Sequence, residues 1–190
     1  MQLILRNLMR SYPVVLDPNT ANSFLSISAD LSSVSISENH QLQIPDNPER
    51  FSVFNGVLGS EGFSSGTHSW EVEVEGSDDW VVGVAEESVN RNIRVRANPA
   101  NGFYCIWRKD GKIVAGLNSV EKTIAKPAVH GIVVILNWDK GKVTFSSAEN
   151  NELLYTFKNK FKKKMYPYFY NKSKTPLKIQ PIQTSITDKI

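Results

Sequence analysis

The run "HSWEVEVEGSDDWVVGVAEES", from His68 to Ser88, holds seven acidic residues and neither Lys nor Arg. Carboxylates at this density could hydrolyse a glycosidic or similar bond, if two were held across a substrate and burial raised the pKa of one. Glu71 and Glu73 stand two residues apart, near enough to act together if they project from one face of a strand. Nothing around them predicts the desolvating pocket this chemistry needs, so the plainer expectation is a hydrated sheet face. Asp78 and Asp79 fall in the turn "EGSDDW", where carboxylates commonly cap backbone N–H groups. Any use of that pair in recognition would be as loop contacts to a basic partner.

Other reactive residue types are sparse. His40, His68 and His130 lack ligand spacing, so no metal site is expected. Gly59, Gly62 and Gly66 do not lead from a strand into a helix, which removes the case for a phosphate-cradling loop. Cys105 has no activating neighbour and reads as an ordinary strand residue. No cofactor is implied.

The basic residues are unevenly spread. Lys and Arg are missing from Phe51 to Asn90, after which Arg91, Arg94 and Arg96 follow in "NRNIRVRANPAN". Acidic residues are missing from Leu153 to Thr187, and eight lysines lie between Lys158 and Lys178. Those from Lys158 to Lys164 alternate with aromatics, as on the outer face of an edge strand whose charges block aggregation. Lys172 and Lys174, in the loop "NKSKT", are better placed to meet a ligand. In "GFYCIW", alternation sets Tyr104 and Ile106 on one face and Phe103, Cys105 and Trp107 on the other. If Tyr104 points inward, Trp107 faces out among Arg108, Lys109 and Lys112, the setting of a binding anchor. Packing beneath a neighbouring loop is the alternative.

These residues need elements to hold them. "WEVEVE" has the strand period, with Trp70, Val72 and Val74 on one face and three glutamates on the other. "WVVGVA" is less polarised, so both its faces are expected to be covered. "HGIVVILNWDKGKVTFSS" reads as a hairpin turning at "DKGK", where Gly141 supplies a positive φ. "ELLYTFKNKF" and "KMYPYFY" are further strands, and "PDNPERF" is an ordered connection. Many short strands at close spacing predict an all-β, antiparallel two-sheet sandwich. The 190 residues, 41% hydrophobic with a net charge of +3, suit one domain and do not mark a dedicated nucleic-acid binder. "MQLILRNLMR" spaces Leu3, Ile4, Leu5, Leu8 and Met9 as a short N-terminal helix, interrupted by Arg6, and lacks the continuous apolar core of a signal peptide. No stretch is long enough to span a bilayer, and the lone Cys105 fits a reducing compartment. A cytoplasmic chain without membrane contact is expected, with the sequon at Asn171 unmodified.

Five motifs in order, "LDPNTA" (16–21), "PDNPERF" (45–51), "VLGSEGFSSGTHSWEVEV" (57–74), "WVVGVAEES" (80–88) and "TPLKIQP" (175–181), resemble the PRY-SPRY family over nearly the whole chain. The resemblance implies a bent two-sheet sandwich over residues 14–182, with a PRY part at 14–66 and a SPRY part at 67–182. A helical lead-in at 1–13 and a tail at 183–190 would flank it. Such domains occur in tripartite-motif ubiquitin ligases, butyrophilins and some NOD-like receptors, where they recognise proteins through variable loops on one face and are not catalytic. The resemblance also places Trp107 at a tryptophan that contacts ligand in an antibody-binding relative. Val81, however, stands where that relative has aspartate, and Lys109 where it has a second tryptophan, so antibody binding is not implied. Tyr104 replaces the tryptophan of the family's Gly-Phe-Trp strand, and Leu136, Asn137, Trp138 and Asp139 replace Leu-Asp-Tyr-Glu.

The reading is a protein-recognition module. Its expected contact residues are Val81, Arg91, Arg94, Arg96, Phe103, Trp107, Lys109, Asn118, Tyr170, Lys172 and Lys174. The partner is a target protein or peptide of acidic or amphipathic character, captured on behalf of a parent ubiquitin ligase or related innate-immune protein. Self-association through upstream regions of the parent is allowed for. RNA or another polyanion, bound by the basic loops with Trp107, Tyr168 or Tyr170 stacking on bases, is the rival, and a hydrolase built on the acidic strands is the third reading.

Overall fold

From Leu25 onward the backbone reverses every few residues, and every strand pairs antiparallel. The strands are β1 (Leu25–Ile27), β2 (Ser33–Ile36), β3 (Gly56–Leu58), β4 (Thr67–Glu73), β5 (Trp80–Glu86), β6 (Phe103–Lys109) and β7 (Lys112–Gly116). They continue as β8 (Glu121–Ala125), β9 (Gly131–Asn137), β10 (Lys142–Ser147), β11 (Leu153–Lys158), β12 (Met165–Asn171) and β13 (Leu177–Ile179), with one 3-10 turn at Pro99–Asn101. The structure, a computed structural model, describes residues 13–39, 44–125 and 129–181. The N-terminal helix read from "MQLILRNLMR" and the tail at 183–190 lie outside the described residues.

Two sheets result. One runs β1-β2-β13-β4-β9-β10-β11, and the other runs β3-β12-β5-β6-β7-β8. Their facing sides make the main core. Trp70 and Val72 of β4 oppose Val134 and Ile132 of β9, and Val143 and Phe145 continue the layer into β10. The second sheet answers with Trp80, Val82 and Val84 of β5 and Tyr104 and Ile106 of β6, all buried. Each such side chain contributes roughly 1.5–3 kcal/mol on removal from water. The Tyr104 hydroxyl accepts a bond from Asn159 Nδ2 at 2.6 Å, so this inward phenol is not left unpaired. At the β9–β10 hairpin, Gly141 adopts φ +65°, and a Cβ there would run into Asn159 O. The expected "DKGK" turn therefore needs glycine on both counts.

A second, smaller core lies on the outer side of the β12-β5-β6 sheet. Phe51, Leu58, Ala85, Val89, Phe103, Cys105 and Tyr168 cluster there, with the Tyr168 ring 5.6 Å from Phe51 and 5.2 Å from Phe103, centroid to centroid. Phe51 is held by the connection expected at "PDNPERF": Arg50 Nη1 donates to Pro18 O and Ala21 O, and Asn22 Nδ2 donates to Phe51 O. The less polarised "WVVGVA" strand is covered on both faces for this reason.

Candidate functional site

Register lines up three of the expected contact residues. Tyr170 of β12 pairs with Val81 of β5, and Val81 pairs with Trp107 of β6, so all three project from the outer face in one row across the strands. Tyr104 and Trp107 do fall on opposite faces: Tyr104 is buried in the main core, whereas Trp107 is half-buried. Above this row the second core stops short and leaves a cleft of about 280 Å³. Its floor is Phe103, Val81 and Tyr168, and its walls include Trp107, Tyr170, Phe54, Val95, Leu117 and Val120.

Loops form those walls, and hydrogen bonds brace them. Asn98 is buried and caps the 3-10 turn by accepting from Asn101 N at 3.1 Å. Asn101 Nδ2 returns a bond to Arg96 O at 3.0 Å. Asn118 Oδ1 accepts from Ala100 N at 2.7 Å, tying the β7–β8 loop to the same turn. Gly116 lets the indole lie flat: a Cβ at this position would fall on Ala97 O and on the six-membered ring of Trp107.

The other expected residues separate by position. Arg96 is exposed and lines the cleft, with Val81, Phe103, Trp107 and Tyr170. Phe103, expected as a contact, is only 2% exposed; it is floor, because Tyr168 and the second core cover it. Asn118 braces the wall. Arg91 lies outside the cleft, its Cζ 5.5 Å from the centre of the Phe51 ring and its Nη1 donating to Glu49 O at 2.6 Å; burial lowers the pKa of this guanidinium. Lys109 is taken by Glu121 at 2.7 Å, and Lys174 by Glu38 at 2.9 Å. Arg94 and Lys172 are exposed but do not line the cleft. Asn171, at the sequon, is fully buried, with Nδ2 donating to Val34 O and Thr175 O, which leaves no room for a glycan.

Several cleft residues had weaker signals. Tyr168 shares its face with Tyr170 by the same period of two. Phe54, Gly116 and Leu117 sit where no alternation runs. Asp79 differs from expectation: among the described residues its carboxylate caps no backbone group, and it lines the cleft instead. The turn before β5 is closed without it, by Ser77 N donating to Val74 O and Ser77 Oγ to Asn171 Oδ1. Burial pushes the Tyr168 phenol well above its ordinary pKa, and burial with the Asp79 charge raises that of Tyr170; both side chains are neutral donors at ordinary pH.

The acidic run has a different setting. Glu71, Glu73, Glu75, Glu149, His130 and Gln180 border a shallow depression on the outer face of the other sheet. Gln180 Nε2 donates to Glu73 Oε2 at 3.0 Å, and Glu75 meets His130 at 3.0 Å. Lys178 stands opposite Glu73 in the β13–β4 register. β4 ends at Glu73, so Glu75 falls in the following turn, and none of the three glutamates is buried, so the desolvated acid that a carboxylate pair would require is not formed there. No group of three or more His, Cys, Asp or Glu suited to a metal occurs among the described residues. Among the same residues, no helix is long and apolar enough to cross a membrane. Burial pushes the Cys105 thiol far above its ordinary pKa, which removes it as a nucleophile.

The described residues thus form a two-sheet antiparallel sandwich with a loop-walled aromatic cleft on one outer face. A family model for PRY, the SPRY-associated domain, matches residues 14–63, and one for the SPRY domain matches residues 67–182. The chain belongs to the PRY-SPRY family. It is 43% identical over 157 residues to nuclear factor 7, ovary, of Xenopus laevis, covering 82% of this chain and 26% of that protein. It is 34% identical over 181 residues to E3 ubiquitin-protein ligase TRIM58 of Mus musculus, covering 94% of this chain and 37% of that one. It is 41% identical over 152 residues to butyrophilin subfamily 2 member A2 of Mus musculus, covering 80% and 29%. The chain thus spans about a quarter to just over a third of the length of these relatives. The crystal structure of the TRIM65 PSpry domain matches with a TM-score of 0.80 over 95% of each chain at 20% identity, a likeness of fold.

Proposed function

We propose that the chain is a non-catalytic protein-recognition module and that the Trp107 cleft is where it captures its target. The carrying observation is the cleft itself: an open, aromatic-lined hollow on a rigid sheet, walled by loops. Pockets that bury an anchor residue have this composition, apolar floor with a few polar groups at the edge. Relatives that include a tripartite-motif ubiquitin ligase support a substrate-binding role in such a ligase, with the transfer chemistry elsewhere in the parent. The polyanion reading has less support, because Arg94, Lys172 and Lys174 are not gathered at the cleft and Lys109 is already paired.

Two tryptophans provide the test. Trp80 is 1% exposed, and Trp80→Ala should cost about 3–5 kcal/mol of stability in urea unfolding. Trp107→Ala should cost about 1 kcal/mol of stability while weakening capture of a target from cell extract by about thirty-fold, near 2 kcal/mol. RNase treatment should leave that capture unchanged. A target held as tightly by Trp107→Ala as by the unaltered chain would place recognition outside the cleft.

A further inference from the structure

The rim of the cleft carries two charges that the fold leaves without partners. Among the described residues, no hydrogen bond or ion pair holds the Asp79 carboxylate or the Arg96 guanidinium, whereas the third rim charge, Glu121, is taken by Lys109. The two are well separated. Asp79 stands where β5 meets β12, its carbonyl accepting from Lys172 N at 3.0 Å. Arg96 belongs to the loop whose next residue, Ala97, leans its carbonyl toward Gly116 of β7. Ile106 of β6 stands opposite both Val82 of β5 and Ala115 of β7, so Gly116 is level with Gly83, and two strand spacings with four residues of rise put it about 16 Å from Asp79. Between them lie Val81 and the Trp107 ring. Trp107 Nε1 and the Tyr170 hydroxyl have no protein partner among the described residues and are free to bond a peptide backbone.

A cleft with a negative end, an apolar middle and a positive end is complementary to a ligand of reversed polarity. In an extended peptide, alternate side chains share a face, and residues four apart are separated by about 13 Å, a spacing that long charged side chains splaying outward extend to the span between the two rims. Resting on the recognition role given above, we propose that the occupant is an extended segment of a partner protein in which one large apolar side chain sits against Trp107. A Lys or Arg two positions to one side meets Asp79, and an Asp or Glu two positions to the other side meets Arg96. The partner is amphipathic at this site rather than simply acidic.

A phage-displayed library of random heptapeptides, selected on the 190-residue chain, tests this. Selected peptides should share an apolar residue flanked at both second-neighbour positions by opposite charges, in one order. The double exchange Asp79→Arg with Arg96→Asp, at two exposed positions, should select the reverse order, with thermal unfolding confirming that it folds. Asp79→Asn or Arg96→Gln alone should weaken a selected peptide about five-fold. Peptides that lack the charge pair yet are lost on Trp107→Ala would overturn the charge order and leave the cleft as the recognition site. Selection of the same order by the exchanged chain would overturn it as well. Peptides indifferent to Trp107→Ala, or no enrichment at all, would remove both.

Discussion

The two outer faces of the sandwich come from equally regular strands, yet one is hydrated and the other is built over. On β4, the outward Glu71 and Glu73 stay partly exposed, with Glu73 accepting from Gln180 and standing opposite Lys178 in register. On β5 and β6, the outward Ala85, Phe103 and Cys105 are sealed by Phe51 and Tyr168, and only the end of that face bearing Val81, Trp107 and Tyr170 stays open. Alternation therefore says which residues leave the main core, but not whether they reach solvent. A recognition cleft arises here because a second layer of packing covers most of a face and stops. The sharpest test of this contrast compares truncations. Phe103→Ala should cost about 3–5 kcal/mol in urea unfolding, because Phe103 is buried in the second core. Glu71→Ala should move stability by no more than about 0.5 kcal/mol. Similar costs for the two would mean that the outer faces do not differ as described.

The next effect concerns the open end alone. Gly116→Ala places a methyl group against Ala97 O and the Trp107 ring. The backbone cannot yield without breaking the β7 pairing, and the added Cβ would overlap both neighbours, so the indole and the 95–98 loop must both move. The expected cost is about 1–3 kcal/mol, with a shift in tryptophan emission that is absent when the substitution is made in a Trp107→Phe background. An unchanged emission spectrum would show that the indole does not rest on Gly116.

How far residues alone reveal such a molecule depends on the range of the interaction. Period two grouped Trp70 with Val72 and set Tyr104 and Trp107 on opposite faces, and a single glycine located the β9–β10 turn, because both are decided within a few residues. The cover over Phe103 comes from Tyr168, itself packed on Phe51, and both lie more than fifty positions away in the chain, so no local pattern announces it. Lys109 and Lys174 looked free in sequence, and their partners lie 12 and 136 residues distant. Asn118 looked like a contact and instead braces Ala100, whereas Asp79 looked like a cap and is open. Side-chain bonds of one or two atoms depend on tertiary placement of loops, and period and composition carry no record of it.

The smallest effect distinguishes the faces by pH. On the hydrated side, Glu149 Oε1 accepts from His130 N at 2.8 Å and Gly131 N at 2.7 Å, and Oε2 accepts from Ser147 Oγ at 2.6 Å. Burial alone would raise its pKa, but the bonds from Ser147 and the backbone N–H groups outweigh it and hold the carboxyl below its ordinary 4.5. A carboxylate lowered by folding stabilises above its unfolded pKa, and that contribution disappears as pH falls through the folded value. Glu149→Gln keeps one acceptor but loses the charge. It should therefore be slightly less stable than the unaltered chain at neutral pH, with the gap closing as pH drops below 4.5. On the cleft side, burial shifts Tyr168 and Tyr170 upward, so those groups contribute nothing to the acid limb. A gap between the two chains that stayed constant from neutral to acid pH would show that Glu149 acts through shape and not through charge, and the hydrated face would then lose its electrostatic distinction from the aromatic one.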